Sequence, residues 1–248
     1  AAEVTKTAEN TFRDLQIAAA NQLALYCEAM GINVYDVRNG INSLKGVGVS
    51  REILMPGAGV GGHCLTKDTY HLERGVKITG ALDYPLGEES LFISARRLND
   101  FMPLHMFNLT VDGLARAGKT INGSKIAILG WAFIANSDDD RNTPSEVYRD
   151  LVIGAGGNVS IHDPWVDSKY GAMIDHDITR VIKDADAVVI MTGHNIYKNL
   201  TPEKISYEKG IVIVDGRNVI DPHEFIDKGF IYKGIGRGDV NNHEIMRK

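Results

Sequence analysis

The residues near position 120 divide this chain of 248 residues into two halves with different hydrophobic patterns. Upstream, apolar residues recur at the three- and four-residue spacing of helices, whereas downstream short runs rich in Val and Ile alternate with helical segments. The runs are residues 125–129, 159–161, 187–190 and 211–214, and the helical segments lie near residues 145–152, 178–183, 202–205 and 222–228. This alternation predicts an α/β fold with a doubly wound parallel sheet. We place the boundary near residues 122–124, between domains of residues 1–120 and 121–248.

The first 120 residues predict long helices. One pattern runs from about residue 3 to residue 30 and ends at Gly31, a residue suited to the left-handed conformation that follows many helices. Shorter helices are expected at residues 35–42 and from Cys64 to about residue 74. A second long helix is expected at residues 88–117, where Pro103 should kink or restart it. Cys27 lies within the first pattern and is expected in the core. Apolar stripes on such long helices predict a homodimer that buries them.

A glycine-rich loop, Pro56-Gly-Ala-Gly-Val-Gly-Gly-His63, leads directly into Cys64. The N–H groups and the dipole at a helix start favour an anion, so a thiol placed there tends toward the nucleophilic thiolate. Lys67 and Asp68 follow at spacings of three and four residues, which brings them near the same helix face. A lone cysteine is more often a buried one. Glycines and charges are poor core material, however, and this loop therefore favours a reactive cysteine.

Two further patterns bear on ligand binding. Gly57, Gly59 and Gly62 match the dinucleotide pattern G-x-G-x-x-G, but that pattern requires a buried strand before it, and here Pro56 interrupts the entry. We therefore reject it as a cofactor site. A doubly wound sheet binds ligands beyond the carboxyl ends of its strands. Polar loops are expected at that edge, at residues 131–141, 163–164, 192–194 and 215–217.

Composition excludes several classes of function. The chain has 27 basic and 32 acidic residues and a net charge of −5, so no basic field favours nucleic acid. No apolar run approaches the length of a membrane span, and nothing resembles a signal peptide. The two cysteines suggest no disulfide framework. A reducing, cytoplasmic setting is expected. The acidic run at residues 138–140 is interpreted as a solvated loop, and no metal site is predicted.

Three separated motifs resemble, in the same order, those of the UDP-glucose/GDP-mannose dehydrogenase family. The loop from Pro56 to Cys64 resembles the active-site loop, in the form found in the branch that oxidises UDP-N-acetylhexosamines. The segment Lys6-Thr-Ala-Glu-Asn10-Thr-Phe-Arg13 is similar to the central-helix motif. Residues 128–133 (Ile-Leu-Gly-Trp-Ala-Phe) and 139–145 (Asp-Asp-Arg-Asn-Thr-Pro-Ser) resemble the opening of the C-terminal domain. The resemblance covers nearly the whole chain.

This resemblance implies a four-electron oxidation of the C6 alcohol of a UDP-sugar to the uronate, using two NAD⁺. In the implied mechanism Cys64 adds to an aldehyde, the resulting thiohemiacetal is oxidised to a thioester, and water hydrolyses the thioester. Lys6 and Asn10 are then catalytic and stabilise the developing oxyanion, and Asp68 is the base for the hydrolytic water. UDP-N-acetylmannosamine is the expected substrate, and UDP-N-acetylglucosamine and UDP-glucose are the alternatives.

The resemblance also assigns binding residues, with a Rossmann-like UDP-sugar-binding domain after the helical one. Lys67 and Arg141 match the cofactor side. The positions that match the substrate site are Arg13, Arg51, Gly57, Gly61, Phe133, Ile134 and Arg217. Arg51 aligns with an arginine that reaches the substrate of the partner subunit. Ile134 stands where the family usually has lysine, which removes one cation near the phosphates.

The family's N-terminal NAD-binding domain has no counterpart in this sequence. We therefore expect a fragment that binds a UDP-sugar or UDP-uronate without turning it over with NAD⁺. Two other classes stay open: a non-catalytic dimer that binds nucleotide sugars, and a cysteine hydrolase that uses Cys64 with His63 or His71. Adjacent side chains on a helix do not face each other, which argues against His63. Conversion of a simple ester without any nucleotide would support the hydrolase.

Overall fold

The computed structural model describes residues 2–43, 52–79, 89–169, 171–206, 208 and 210–241. Arg51, predicted to contact substrate, lies outside these residues. Within them, four helices precede the sheet: α1 (Ala2–Met30), α2 (Val34–Asn42), α3 (Leu65–Thr79) and α4 (Leu91–Arg116). In the same part of the chain no helix combines the length and the apolar character that a membrane crossing needs.

Local sequence signals set the ends of these helices. Helix α1 ends before Gly31, which has a φ of 70°, and the side chains of Asn33 and Ser90 accept backbone N–H groups at the starts of α2 and α4. The helix does not restart at Pro103, one of the two outcomes expected there, because α4 continues through this residue. A proline removes one intrahelical hydrogen bond. Here Pro103 and the adjacent Met102 are buried, and their packing holds the helix together.

Among the described residues the second half forms a parallel sheet, as predicted, and this sheet has six strands where the sequence predicts four. The strands are β1 (Lys125–Leu129), β2 (Asn158–His162), β3 (Ile174–Asp175), β4 (Ala187–Ile190), β5 (Val212–Asp215) and β6 (Ile231–Gly234). Their order is β3-β2-β1-β4-β5-β6, and every neighbouring pair is parallel. The order reverses between β1 and β4, so the topological switch point lies between these two strands.

Short helices lie between the strands: α5 (Pro144–Gly154), α6 (Ile178–Ile182), a 3₁₀ helix at Asn195–Asn199, α7 (Pro202–Ile205) and α8 (Pro222–Ile226). A further short helix, α9 (Gly238–Asn241), follows β6. The predictions missed β3 and β6. Strand β3 has two residues, too few for a pattern. Strand β6 contains Lys233, whose buried ammonium pairs with Asp112 of α4, and a charged residue hides the apolar run of a strand.

Helix α4 joins the helical part to the sheet. Its Met102, Met106 and Leu114 belong to the same apolar cluster as Ile126, Ile128, Val189, Val212 and Val214 of the strands. At Gly113 a Cβ would lie 2.5 Å from Cγ1 of Val212, so a larger residue would push α4 off the sheet. A hydrogen bond of 2.8 Å between the hydroxyls of Thr110 and Tyr148 ties α4 to α5. A second cluster on the other face of the sheet includes Val188, Ile190, Ile213, Tyr197 and Phe225.

Helix α1 turns a polar side inward and an apolar side outward. Its buried residues are Asn10, Thr11, Asp14, Ala18, Ala20, Asn21, Ala24 and Cys27, which confirms the core position of the cysteine. Four large apolar side chains are instead more than half exposed: Val4 (60%), Phe12 (57%), Tyr26 (56%) and Met30 (59%). At about 100° per residue these four fall within an arc of about 80° on the helix surface.

Candidate active site

The glycine-rich loop is compressed between side chains that come from the sheet. A Cβ at Gly57 would lie 2.3 Å from Nη1 of Arg217, and one at Gly61 would lie 2.5 Å from Cβ of Phe133. Gly62 has a φ of 93°, in the left-handed region that favours glycine. Close packing and backbone conformation therefore account for these glycines. Residues 52–56 form no strand, which agrees with the rejection of a dinucleotide fingerprint.

Cys64 lies immediately before α3, as predicted. Its carbonyl accepts the N–H groups of Lys67 (3.1 Å) and Asp68 (2.9 Å), which makes it the N-cap residue of this helix. Its thiol is free and exposed, whereas Cys27 is free and buried. The positive end of the α3 dipole therefore lies beside an accessible thiol.

Asp68 is buried against α1. Its Oδ2 accepts a hydrogen bond of 2.7 Å from Nδ2 of Asn10, and each of the two side chains belongs to a residue that is only 7% exposed. Because an amide N–H donor fixes one carboxylate oxygen, the other is left in a defined direction. The two predicted catalytic residues are thus in direct contact across the α1–α3 interface.

Lys6 lies one helical turn before Asn10 and is exposed. Its ammonium donates to Oε2 of Glu9 at 2.9 Å. The hydrogen bond and the charge of Glu9 raise the pKa of Lys6, and Cys64 and Asp68 add smaller contributions in the same direction. Lys6 is therefore a fully charged cation near both groups, although its side chain does not line the cavity described next.

A cavity of about 620 Å³ opens beside Cys64. Its walls come from α1, from the glycine-rich loop and from the loops that follow β1 and β5. The predicted site residues that line it are Arg13, Gly57, Gly61, Cys64, Phe133, Ile134, Arg141 and Arg217. This volume is typical of small-molecule sites. The structure thus brings together eight of the residues predicted from sequence.

Lys67 faces a different cavity, of about 760 Å³, on the other side of the glycine-rich loop. Its Nζ donates to Nε2 of His63 at 3.1 Å. Cys64 does not line this second cavity, although His63 borders both. The prediction that Lys67, Asp68 and Cys64 share one face is therefore only coarsely right, because the three side chains point to three neighbouring environments.

A third cavity, of about 380 Å³, lies at the carboxyl edge of the sheet. It is bordered by the loops after β1, β4 and β5, at the switch point where doubly wound sheets bind ligands. Phe133 and Arg217 line both this cavity and the one beside Cys64. Lys198, on the 3₁₀ helix, is a second cation in its wall. Lys198 cannot be recognised from the sequence, because a lysine in a short polar segment resembles any surface lysine.

Two hydrogen bonds hold Arg217 in place, one from its backbone and one from its side chain. Oδ1 of Asp215 accepts the N–H of Arg217 at 2.9 Å, and Nε of Arg217 donates to the carbonyl of Met191 at 2.8 Å. Desolvation lowers the pKa of Arg217, while electrostatic interactions with Tyr35 and Asp215 oppose that change. Among the described residues no carboxylate forms an ion pair with its guanidinium. The terminal nitrogens of a desolvated cation are thus available to an anion.

Arg141, in contrast, already has an anionic partner. Its Nε and Nη2 donate to the two carboxylate oxygens of Asp139 at 2.9 and 2.6 Å, and this hydrogen bonding lowers the pKa of Asp139. Asp140 pairs with Lys169. Asp139 and Asp140, two of the three acidic residues of this loop, are therefore engaged by cations.

A buried polar network behind the glycine-rich loop was not predicted. Oδ1 of Asn21 accepts the N–H of Gly57 at 2.9 Å, and Nδ2 of Asn21 donates to Oδ1 of Asn99 at 2.9 Å. Asn99 in turn donates to Oδ1 of Asp14 at 2.8 Å, which also accepts from Nη1 of Arg96 at 2.7 Å. The signal available in the sequence was the presence of these polar residues among apolar ones in two long helices.

Comparison with known proteins places this geometry among nucleotide-sugar dehydrogenases. UDP-N-acetyl-D-mannosamine dehydrogenase of Pyrococcus horikoshii is 36% identical over 240 residues, which cover 96% of this chain and 52% of that protein. UDP-glucose 6-dehydrogenase of Rhizobium meliloti is 34% identical over 243 residues, 96% of this chain and 53% of that protein. The solved structure of NDP-N-acetyl-D-galactosaminuronic acid dehydrogenase from Methanosarcina mazei superposes with a TM-score of 0.95, and its sequence is 63% identical. The match covers 98% of this chain and 52% of that one. The chain spans about half the length of these relatives.

Two family models match successive parts of the chain. The central domain of the UDP-glucose/GDP-mannose dehydrogenase family matches residues 1–99, and the UDP binding domain of the same family matches residues 127–222. The match of both domains in one chain confirms the resemblance that the three sequence motifs indicate. The chain belongs to the UDP-glucose/GDP-mannose dehydrogenase family.

Proposed function

We propose that this chain supplies the nucleophilic thiol and the UDP-sugar site of an NAD-dependent dehydrogenase that oxidises the C6 alcohol of a UDP-N-acetylhexosamine to the uronate. The observation that supports this most directly is the position of Arg217 between two cavities, one beside Cys64 and one at the switch point of the sheet. A diphosphate paired with Arg217 would leave room for the nucleoside on one side and for the sugar on the side of the thiol.

Recognition in this proposal depends on a few cations and one aromatic ring. Arg217 binds the diphosphate, and Arg13 contacts the sugar from α1, since both line the cavity beside Cys64. Phe133 packs against the ligand at the junction of the two cavities. Ile134 is 50% exposed and offers no charge to the phosphates. Lys198, which lines the switch-point cavity together with Arg217, can supply the positive charge near the phosphates that Ile134 lacks.

Cys64 acts on the aldehyde that the first oxidation produces. In that oxidation the C6 carbon loses a hydride and its hydroxyl loses a proton. The thiolate then forms a C–S bond to the aldehyde carbon, and the oxygen takes up a proton to give a thiohemiacetal. Loss of a second hydride from carbon and of the hydroxyl proton gives a thioester, and water displaces the thiolate to give the carboxylate and releases protons. A thiolate suits both steps because it is nucleophilic near neutral pH and leaves readily.

Asn10, Lys6 and Asp68 assist at the carbonyl and at the water. The positive charge of Lys6 and the amide of Asn10 stabilise negative charge that develops on oxygen. Asp68 takes the proton of the hydrolytic water, with its carboxylate oriented by the 2.7 Å hydrogen bond from Asn10. The burial of this pair keeps the base in one orientation.

NAD⁺, when bound, accepts the hydride in each of the two oxidations. The residues assigned to its side are Lys67 and Arg141, two cations that suit the anionic phosphates of a dinucleotide. The carbonyl of Arg141 accepts the N–H of Gly62 at 2.7 Å, which puts this cation beside the loop that carries Cys64. Lys67 and Arg141 would hold and orient the cofactor. The glycine-rich loop itself is not proposed to bind it.

The sugar is proposed to be an N-acetylhexosamine, with two stereochemical candidates. UDP-N-acetylmannosamine is favoured by the name of the Pyrococcus horikoshii relative, at 36% identity. UDP-N-acetylgalactosamine is favoured by the name of the Methanosarcina mazei relative, at 63% identity. Competition between the two UDP-sugars for this chain, with UDP-N-acetylglucosamine and UDP-glucose alongside, ranks them directly.

We also propose that the chain forms a homodimer and divides into domains at residue 120. The outward apolar face of α1 supports the dimer, because four large side chains on one arc would otherwise face water. The passage from α4 at Arg116 to β1 at Lys125 supports the division, although α4 packs on the sheet. A purely binding dimer and a cysteine hydrolase remain the contrasting classes; the hydrolase predicts ester cleavage without any nucleotide.

Calorimetric titration of the chain with UDP, with uridine and with the UDP-sugars tests the proposed site. We expect UDP to bind more tightly than uridine, and Arg217→Met to weaken UDP by about 100-fold while uridine changes little, because a desolvated charge-assisted contact is lost. Arg180→Met is the matched control, since Arg180 is exposed and pairs with Asp175 away from the cavities. Equal affinities for UDP and uridine, or an unchanged affinity in Arg217→Met, would overturn the proposal.

A further inference from the structure

The loop of residues 130–142, which follows β1, forms one wall of the proposed UDP-sugar site. It carries Phe133, Ile134 and Arg141 to the cavity beside Cys64. Most of it lacks regular structure, so its shape depends on specific contacts. At Asn136 the backbone has a φ of 58°, a left-handed conformation that a non-glycine residue keeps when its surroundings enforce it.

Asp163, directly after β2, anchors the start of this loop. Its Oδ2 accepts the N–H groups of Trp131 at 2.6 Å and Ala132 at 2.9 Å, and its Oδ1 accepts those of Trp165 and Val166. Burial opposes ionisation, but the hydrogen bonds outweigh it and lower the pKa of Asp163 to about 2. A buried, ionised carboxylate thus joins the loops that follow β1 and β2.

His194, after β4, extends this anchor to the tip of the loop. Its Nδ1 accepts the N–H of Asn136 at 2.9 Å, so Nδ1 carries no proton. The ring proton is then on Nε2, which donates to Oδ2 of Asp163 at 3.1 Å. Both side chains are completely buried. The N–H of Asn195 also donates to Oδ1 of Asn136 at 3.0 Å, so the strained residue is held by its backbone and by its side chain.

We propose that His194 is a positioning residue for the nucleotide-sugar site: as the neutral Nε2–H tautomer it links Asp163 to the Asn136 amide and fixes the loop that carries Phe133 and Ile134. The ligand named here depends on the proposed function, whereas the positioning itself does not. His194 touches neither of the two cavities that would hold the ligand. Its effect on binding is therefore indirect, through the fraction of molecules in which the loop has the shape required for binding.

That fraction sets the expected size of the effect. When only part of the protein is competent to bind, the apparent dissociation constant equals the intrinsic one divided by the competent fraction. Loss of the hydrogen bond to the Asn136 amide removes a contact worth about a factor of ten in population. We therefore expect affinity for UDP to fall about tenfold when His194 cannot accept that N–H.

Two conservative variants separate the roles of the two ring nitrogens. In His194→Asn the side-chain oxygen takes the place of Nδ1 and can accept the Asn136 N–H, but no donor reaches Asp163. In His194→Gln the terminal amide takes the place of Nε2 and can donate to Asp163, but no acceptor faces Asn136. An ordinary packing role for a buried histidine would not distinguish these two polar replacements in this direction.

The experiment measures UDP affinity by calorimetry and hydrogen exchange of the Asn136 amide, at a temperature where all variants are folded. We expect His194→Gln to bind UDP about tenfold more weakly with an unprotected Asn136 amide, and His194→Asn to retain protection and to bind within about threefold of the parent. His223→Gln, at an exposed position on α8, is the control for a histidine-to-glutamine change. Equal protection in the Gln and Asn variants, or equal affinity, would overturn the proposal.

A readout without any ligand separates this proposal from the function. The imidazole ¹⁵N signals of His194 should show a protonated Nε2 and an unprotonated Nδ1 at neutral pH. If the parent chain binds no UDP but shows this tautomer and the protected Asn136 amide, the proposed function fails and the positioning stands. If UDP binds while the proton is on Nδ1, the positioning is wrong and the function stands.

Discussion

The helical part of the molecule and the sheet part bury opposite kinds of side chain. Between α1, α3 and α4 the interior is polar, and it includes Asn10, Thr11, Asp14, Asn21, Asp68, Thr69, Arg96 and Asn99. Across the sheet the interior is apolar on both faces, and buried polar groups such as Asp163, His194 and Asp215 gather at the carboxyl edge. The sheet is thus stabilised in the ordinary way, by apolar burial.

The polar interior of the helical part has a different use. Hydrogen bonds have directions, whereas apolar contacts do not, so the network from Arg96 through Asp14, Asn99 and Asn21 fixes the N–H of Gly57 in one place. The Asn10–Asp68 contact does the same for the proposed base. This difference agrees with the proposed roles, in which the helical part orients the reacting groups and the edge of the sheet holds the ligand.

The largest expected effect separates chemistry from binding at Cys64. In an assay of UDP-sugar oxidation by the full-length enzyme, with the family's NAD-binding domain present, Cys64→Ser should lower uronate formation by at least about 1000-fold, because a serine hydroxyl is a far weaker nucleophile at neutral pH. UDP-sugar binding, measured by calorimetry, should stay within about threefold, since serine is nearly isosteric. Retained uronate formation would remove the nucleophile from the proposed mechanism.

Alkylation of the two cysteines provides the control for this prediction. Iodoacetamide should label Cys64 at least about 100-fold faster than Cys27, because Cys64 is exposed, while burial and then the neighbouring Glu28 raise the pKa of Cys27. Bound UDP-sugar should slow labelling of Cys64. Cys27→Ser should leave uronate formation unchanged. Faster labelling of Cys27 would contradict the assignment.

The next largest effect is on stability, and it follows from removing one member of the polar network in the helical part. Asp14→Ala should lower the free energy of unfolding by about 3 kcal/mol, because it leaves the half-exposed Asp100 as the one ionic partner of the buried Arg96 guanidinium among the described residues. In the sheet, Ile128→Val should cost about 1 kcal/mol. Urea unfolding measures both.

A double variant tests whether the stability lost in Asp14→Ala comes from leaving the Arg96 guanidinium without Asp14. Asp14→Leu combined with Arg96→Met should recover most of the stability that Asp14→Ala loses, since an apolar pair can replace a buried ion pair. The Gly57 N–H should then lose its fixed position, and UDP-sugar binding should weaken although the protein is stable. A stable double variant with full binding would show that the network does not orient the loop.

The sequence predicted the sheet well because its strands are continuous apolar runs in an alternating pattern. Strands β1 and β4 and helix α7 have the predicted bounds. Prediction failed where a contact with a distant part of the chain decides the structure. Lys233 interrupts the apolar run of β6, yet it is buried there because Asp112 of α4 neutralises its charge. At Pro103 the burial of α4 outweighed one lost hydrogen bond.

For the site, motifs predicted which residues gather but not how they are held. Cys64, Arg217 and Phe133 reach one cavity from segments that are far apart in the chain. The supporting residues Asn21 and His194 carry no motif of their own, because their roles depend on which backbone N–H lies opposite in the folded chain. Distances along the sequence contain no such information.

At low pH the two parts should respond differently, because ionised Asp163 in the sheet part contributes about 2 kcal/mol to the free energy of unfolding. Hydrogen bonds lower the pKa of Asp163 from 3.8 to about 2, so its stabilisation is present above about pH 4 and is lost as the pH falls toward 2. Burial raises the pKa of Asp14, so protonation there favours the folded state as the pH falls. Urea unfolding between pH 4 and pH 2 should therefore show a loss of stability that is smaller by about 2 kcal/mol in Asp163→Asn, because other carboxylates with a lowered pKa, such as Asp175, still contribute. An equal loss in the parent and in Asp163→Asn would contradict the assignment.

The smallest expected effect tests the outward faces of the two parts. Light scattering of the parent should give twice the chain mass of 27.2 kDa at micromolar concentration. Phe12→Asp should raise the dissociation constant of the dimer by about tenfold or more, because Phe12 is 57% exposed on the apolar face of α1 and a buried carboxylate would oppose association. Ile153→Asp, at a residue 54% exposed on α5 of the sheet part, is the matched control and should leave the dimer unchanged. A 27.2 kDa monomer in the parent, or an equal effect at Ile153, would show that the apolar face of α1 does not mediate association.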